Sequence, residues 1–215
     1  GGRRLGRQEL GGEIMSDHPG ALWTRDMIEA ACKRRRTFRR EDYDSVIVAV
    51  DPPITSGAAS DACGLIVAGR KRGAYGTPGQ VVILHDGSVQ GRSPEGWARK
   101  AAALYKDYDA DYVVAESNQG GEMVRTVLRQ SGTPMIVRLV HAAKSKTARA
   151  MPVALLYEQG RVEHCGRFAP LEDELCQLGT EDLDGSPDRA DALVWAVTDL
   201  SLRRRSGPRI WVLGM

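Results

Sequence analysis

The sequence predicts an α/β fold, a mixed five-stranded central sheet flanked by helices. Three observations carry that prediction. Three apolar runs follow one another early in the chain, "SVIVAVD" (45–51), "ACGLIVAGR" (62–70) and "QVVILHD" (80–86), separated by turns rich in Gly, Pro and Ser. From there on, strand-like runs alternate with helical patterns. The first run is apolar in near-unbroken order, as expected of a strand buried on both faces.

Each element has a local reason. Residues 1–20 are rich in Gly and polar side chains and predict extended or only locally ordered chain. A short helix is expected over 24–32, with Thr24 as N-cap. The character changes near residue 42, so 1–41 are read as an N-terminal extension and 42–205 as the main domain, with 206–215 as a tail. After the three strands, "SPEGWARKAAALYKDY" (93–108) carries Ser93 as N-cap, Pro94 at the first helical position and Glu95 in the first turn. "DYVVAES" (111–117) is a fourth strand, leading through "NQGG" into a helix over 121–131. "PMIVRLV" (134–140) is the fifth, followed by a helical stretch over 145–158, a short "GRVEHCG" segment and a helix near 170–178. The last helix, "SPDRADALVWAVTDLSLRRR" (186–205), is expected to be the longest, with Ser186 as N-cap and Pro187 at N1.

Composition bounds the function classes. A chain of 215 residues with 42% hydrophobic and 27% charged residues suits one globular domain with appended segments. No apolar run approaches the ~18 residues of a spanning helix, and no N-terminal stretch resembles a signal peptide. Four cysteines stand far apart without a CxxC pair, so neither disulfides nor a structural zinc site is expected. His164 and Cys165 are adjacent but have no further ligand types nearby in sequence. The net charge of +2 hides two basic runs, "KRRRTFRR" (33–40) and "RRRSGPR" (203–209), which suit a polyanionic partner or a solvated linker and tail.

The informative residues are acids at the ends of elements. Asp51 closes the first strand and is followed by Pro52 and Pro53. Asp is depleted in strands and Pro cannot continue a central ladder. An Asx-turn would account for Asp51 alone. Glu116 closes the fourth strand in the same way, and ligand sites in α/β sheets gather beyond the carboxyl ends of strands. In the last helix Asp188 suits the first turn, where the dipole favours an acid. Asp191, three residues on, shares its face, yet this helix is apolar around most of its circumference. A carboxylate buried there costs several kcal/mol unless it is paired or metal-bound. Asp51, Glu116, Asp188 and Asp191 together would make an all-oxygen site, whose hard ligands suit Mg²⁺ or Mn²⁺. Two such ions, roughly 4 Å apart, would clamp the attacking and leaving oxygens of a phosphodiester. Lys144, Lys146 and Arg149 beside the fifth strand, and Arg70, Lys71 and Arg72 at a strand connection, are candidate DNA-backbone contacts.

With these motifs in place, the chain resembles the RNase H-like (retroviral integrase) superfamily, and within it the C-terminal nuclease domain of the large terminase subunit of tailed phages and gene-transfer particles. "RRLGRQELGGEI" with "PGALWT" is similar to the segment linking the terminase ATPase to its nuclease. "VIVAVDPP", "SDACGLIVAG", "VVAESNQGG", "KSKTARAMPVALLYEQGRVEH", "FAPLEDEL" and "SPDRADALVWA" resemble the nuclease regions in order. The resemblance implies a metal-dependent endonuclease that cuts concatemeric double-stranded DNA during genome packaging. Asp51, Glu116 and Asp191 carry over as catalytic, metal-binding acids, with Asp188 as a fourth ligand and Asp61 as an accessory acid or turn residue. Its implied partners are double-stranded DNA, the terminase ATPase, the small terminase subunit and the portal protein, in the cytoplasm of a bacterial host. No GxxxxGK[ST] phosphate loop occurs in the sequence, so the nuclease portion alone, a monomer without ATPase activity, is expected. Two further readings share these features. One is a Holliday-junction resolvase of the same superfamily, acting as a dimer; the other is a non-catalytic DNA-binding or motor-docking module.

Overall fold

The computed structural model describes residues 20–32, 37–53, 62–73, 79–117, 121–180 and 185–202. Strand β1 (Tyr43–Asp51) runs through the middle of a six-stranded sheet. On one side it pairs antiparallel with β2 (Gly64–Lys71), which pairs antiparallel with β3 (Val81–Asp86). On the other side it pairs parallel with β4 (Tyr112–Glu116), which is followed by β5 (Val137–Val140), also parallel. The sheet ends beyond β3 with β6 (Val162–His164), parallel to its neighbour.

Val46, Ile47, Val48, Ala49 and Val50 are all fully buried, because helices cover both faces of the sheet. The period of two sorts them. Val46, Val48 and Val50 pack on the face of α2 (Pro94–Asp107) and α3 (Gly121–Gln130). Ile47 and Ala49 pack on the opposite face, under α1 (Arg25–Ala31), α4 (Lys146–Glu158), α5 (Ala169–Gln177) and α6 (Asp188–Val197). The caps form as their residue types dictate. Thr24 accepts from the Met27 amide at 3.2 Å and Ser93 from that of Gly96 at 3.2 Å.

The sheet has six strands where the sequence predicts five. The added strand is the "GRVEHCG" segment, and three residues are too few for a periodicity to show. It is a strand because β3 offers it an edge: the Val81 amide donates to Arg161 O at 3.0 Å and the Cys165 amide to Ile83 O at 2.9 Å. The last helix is also shorter than expected. α6 begins at Asp188, with Pro187 at the cap position making no side-chain cap bond, and a wider π turn over Thr198–Leu202 follows it. The 14-residue α2 is the longest helix described.

Residues 20–32, assigned by sequence to the N-terminal extension, pack into the same core as α6. Trp23 is fully buried with its ring edge-on to Tyr157, centroids 5.8 Å apart, and Ile28 and Ala31 lie in the same cluster. Burial of a side chain the size of Ile28 contributes about 1.5–3 kcal/mol. No described helix is long and apolar enough to cross a membrane. None of the four cysteines is joined in a disulfide. Asp61, the residues 118–120 of "NQGG", residues 33–36 of "KRRRTFRR" and all of 203–215 lie outside the described residues.

Candidate metal centre

Strand register brings the first two acids together. β1 and β4 are parallel neighbours with Val50 opposite Ala115, so Asp51 and Glu116 end adjacent strands side by side. Paired strands lie about 4.8 Å apart. By the alternation of β1 and β4, both acids belong to the face of Ile47, Ala49 and Val114, which α6 covers.

A missing side chain brings in the other two. Asp51 pairs with Gly64 at the start of β2. A Cβ on Gly64 would lie 1.9 Å from the carbonyl oxygen of Asp188 and 2.6 Å from its carbonyl carbon. The first turn of α6 therefore sits directly on the glycine, which sets Asp188 and Asp191 beside Asp51. Both are buried, at 5% and 2% exposure. Ser186 does not cap the helix as the sequence suggests; its hydroxyl donates to Asp188 Oδ1 at 2.6 Å.

The N-terminus of α6 is capped instead from α5. Glu174 Oε2 accepts from the Arg189 and Ala190 amides at 2.9 and 3.1 Å, and Oε1 accepts from Arg189 Nη1 at 2.7 Å. Arg189 Nε also reaches Asp86 Oδ2 at 3.3 Å, at the end of β3. One side chain on α5 thus satisfies orphan amides of α6 that Pro187 leaves open.

Two cations close the site from α4. Ser145 caps that helix, accepting from the Ala148 amide at 3.3 Å, so Lys146 and Arg149 fall one turn apart on one face. Lys146 Nζ lies 2.6 Å from Asp191 Oδ2. Arg149 lies 3.5 Å from both Glu116 Oε2 and Asp191 Oδ1, with its guanidinium stacked 4.6 Å over the Trp195 ring. The Trp195 indole donates to Glu116 Oε2 at 2.6 Å, fixing that carboxylate from α6.

Four carboxylates thus meet two cations in a partly buried cleft. Burial first, and then Asp191, Glu116 and Asp188, push the Asp51 carboxyl well above the usual carboxylate range, with Lys146 opposing. Burial alone would lower the Lys146 ammonium, but Asp191, Asp51 and Asp188 outweigh it and keep it charged. The donor set consists of carboxylate oxygens and carries more negative charge than its two cations offset. It therefore fits a hard divalent cation, whose arrival would relieve the repulsion felt at Asp51.

Not every residue singled out in the sequence belongs here. Lys144 is exposed on the loop that leads into α4. Arg70 pairs with Ser45, six residues before Asp51 along β1, or about 20 Å at ~3.3 Å per residue. There Arg70 binds Asp44 at 2.9 Å and the Leu200 carbonyl at 2.8 Å, and Lys71 binds Glu163 at 2.7 Å. Arg70 and Lys71 end β2, with Arg72 just after it, at the opposite end of that strand from Gly64 and Asp51, so they lie apart from the cleft. Conversely, Gly64, Glu174 and Trp195 carry no sequence signal for the site roles they have; each acts through a contact between distant segments.

Comparison with known proteins bears on the family and the fold. Residues 48–200 match a family model described as the terminase RNaseH-like domain. No curated protein matches in sequence. Among solved structures, the large terminase nuclease from thermophilic phage G20c superposes with a TM-score of 0.61 at 18% identity, covering 85% of this chain and 100% of that one. A mutant nuclease domain of the large terminase subunit gp2 of bacterial virus Sf6 with manganese gives 0.55 at 16% identity, over 81% and 97%. The human cytomegalovirus terminase nuclease domain gives 0.57 at 16%, over 81% and 93%. The fold is therefore RNase H-like.

Proposed function

The chain belongs to the family of terminase RNase H-like domains, and from that premise we propose that it is a metal-dependent endonuclease cutting double-stranded DNA during genome packaging. The observation that carries the reading is the convergence of Asp51, Glu116, Asp188 and Asp191 from two strand ends and one helix terminus. These four residues would hold two Mg²⁺ or Mn²⁺ ions, which when bound supply an activated water and stabilise the leaving oxygen of the phosphodiester. The manganese held by the Sf6 domain supports the choice of cation class.

The chain's own residues prepare that chemistry. Asp51 and Glu116 stand on central strands, rigid mounts that keep ligand oxygens within ~0.5 Å of the required geometry. Trp195 orients Glu116 through its indole N–H. Glu174 caps the α6 N-terminus and so fixes the helix turn that carries Asp188 and Asp191. Lys146 and Arg149 offset the acids' repulsion of DNA and supply phosphate contacts at the cleft. Lys144, exposed nearby, extends that basic margin. Sequence preference is slight, because such contacts address the backbone and not base edges. In the packaging system the ATPase, small subunit and portal would decide where cutting occurs, in the host cytoplasm.

The test is plasmid nicking in Mg²⁺ or Mn²⁺. Wild-type protein is expected to cleave, EDTA to stop it, and Asp51→Ala and Asp191→Ala to fall to background. Metal-independent cleavage, or variants as active as wild type, overturns the reading. A preference for four-way junctions over linear duplex would reassign it to the resolvases.

A further inference from the structure

The sequence gives no reason to expect a zinc site, because its cysteines and histidines are scattered. The fold nevertheless gathers one cysteine, one histidine and a glutamate at the β6 edge of the sheet. Cys32, the C-cap of α1, forms a parallel bridge with His164 at the end of β6, and Glu172 comes up from the first turn of α5. We propose that Cys32 Sγ, His164 Nδ1 and Glu172 Oε1 form a zinc-binding site separate from the acidic cleft.

Geometry supports it first. Cys32 Sγ lies 3.3 Å from Glu172 Oε1 and 3.8 Å from His164 Nδ1, and His164 Nδ1 lies 3.7 Å from Glu172 Oε1. Zn–S of ~2.3 Å and Zn–N or Zn–O of ~2.0–2.2 Å at tetrahedral angles give ligand edges of roughly 3.4–3.6 Å. The three measured edges span 3.3–3.8 Å, so zinc enters with ligand shifts of only about 0.3 Å. The donors match zinc in kind too, one sulfur, one imidazole nitrogen and one carboxylate oxygen.

The outer contacts are those that metal-bound ligands require. His164 is fully buried, and its other nitrogen, Nε2, is 2.8 Å from the Tyr157 hydroxyl, which holds the ring with Nδ1 facing the pair. Glu172, 3% exposed, accepts from the Phe168 amide at 2.8 Å through the same Oε1, while Arg167 approaches its Oε2 at 3.5 Å. On binding, the Cys32 thiol releases its proton to solvent. Thiolate and carboxylate then offset the two charges of the ion, which leaves a neutral buried centre. Cys32 is only half-buried, so solvent reaches that side and water completes the fourth position. The site ties the end of α1 to β6 and α5, and so holds residues 20–32 against the nuclease body.

Cobalt(II) is the probe, titrated into metal-stripped protein. The expected signal is a thiolate-to-cobalt charge-transfer absorption in the near ultraviolet, present in wild type and in Asp191→Ala, and absent from Cys32→Ser. Zinc at 100-fold excess over its dissociation constant should raise the melting temperature of Asp191→Ala by ~5–10 °C, and leave Cys32→Ser unmoved. Glu172→Gln, which keeps its shape, should weaken the cobalt signal at least tenfold in affinity. No charge-transfer band in folded wild type, an undiminished band in Cys32→Ser, or a zinc shift that vanishes in Asp191→Ala each overturns the site. The first two outcomes leave the nuclease reading untouched, since the nicking assay decides that separately.

Discussion

Gly64→Ala adds one methyl group at the contact between the sheet and the helix that carries two of the four acids. The added Cβ would lie 1.9 Å from Asp188 O and 2.6 Å from Asp188 C, where real contacts essentially never fall below 3.0 Å. The obstruction is main chain on both sides, so no rotamer relieves it. The first turn of α6 must retreat from β2 by about 1 Å, and Asp188 and Asp191 retreat with it. Overpacking of this kind costs about 1–3 kcal/mol, and a misplacement near 1 Å at a reacting centre lowers turnover about 10²-fold. Urea denaturation reads the first effect and plasmid nicking at saturating Mn²⁺ the second. The two should separate: at a temperature where the variant is fully folded, the loss of cleavage remains. A folded Gly64→Ala protein that cuts DNA at the wild-type rate would show that α6 does not place the acids.

Two other changes probe the same site. Glu174→Gln keeps the size of the α6 cap but removes the charge that holds two amides and Arg189; stability should fall by about 1–3 kcal/mol, and the Mn²⁺ concentration for half-maximal cleavage should rise while DNA affinity in a shift assay stays unchanged. Asp51, raised by burial and by its acidic neighbours, binds its proton more tightly folded than unfolded. Its contribution is therefore fully favourable below the unfolded value of about 3.9 and is lost as pH rises through the raised folded value. In EDTA at neutral pH, Asp51→Asn should accordingly melt at a higher temperature than wild type while cleaving nothing, and an Asn variant that melts lower would refute the repulsion inferred at this site.

The acids themselves were legible because each breaks a local rule. Asp51 and Glu116 end apolar strands that have no use for a charge, and Asp191 stands in a helix apolar nearly all round. The order of strands and helices was legible for a similar reason, since burial on two faces writes itself as unbroken apolar runs. The three-residue β6 was not, because pairing with β3 and no pattern of its own makes it a strand. The start of α6 was misread at Ser186 for a comparable cause. A Ser-Pro pair looks like a cap locally, but Glu174, from another helix, does the capping.

Sequence by itself singled out the acids proposed to carry the chemistry, and that their oxygens suit a hard cation, since both follow from residue type set against local pattern. Tertiary structure alone decided which of them meet. Parallel register puts Asp51 beside Glu116, and the absent Cβ of Gly64 lets α6 descend onto them. The same folding separates Arg70 and Lys71 from the cleft by the length of a strand and binds them to Asp44 and Glu163. It also gathers Cys32, His164 and Glu172, 132 and 140 residues apart from Cys32 in the chain, into one cluster. Distance along the chain carries no information about such meetings, because packing between faces and register between strands set them.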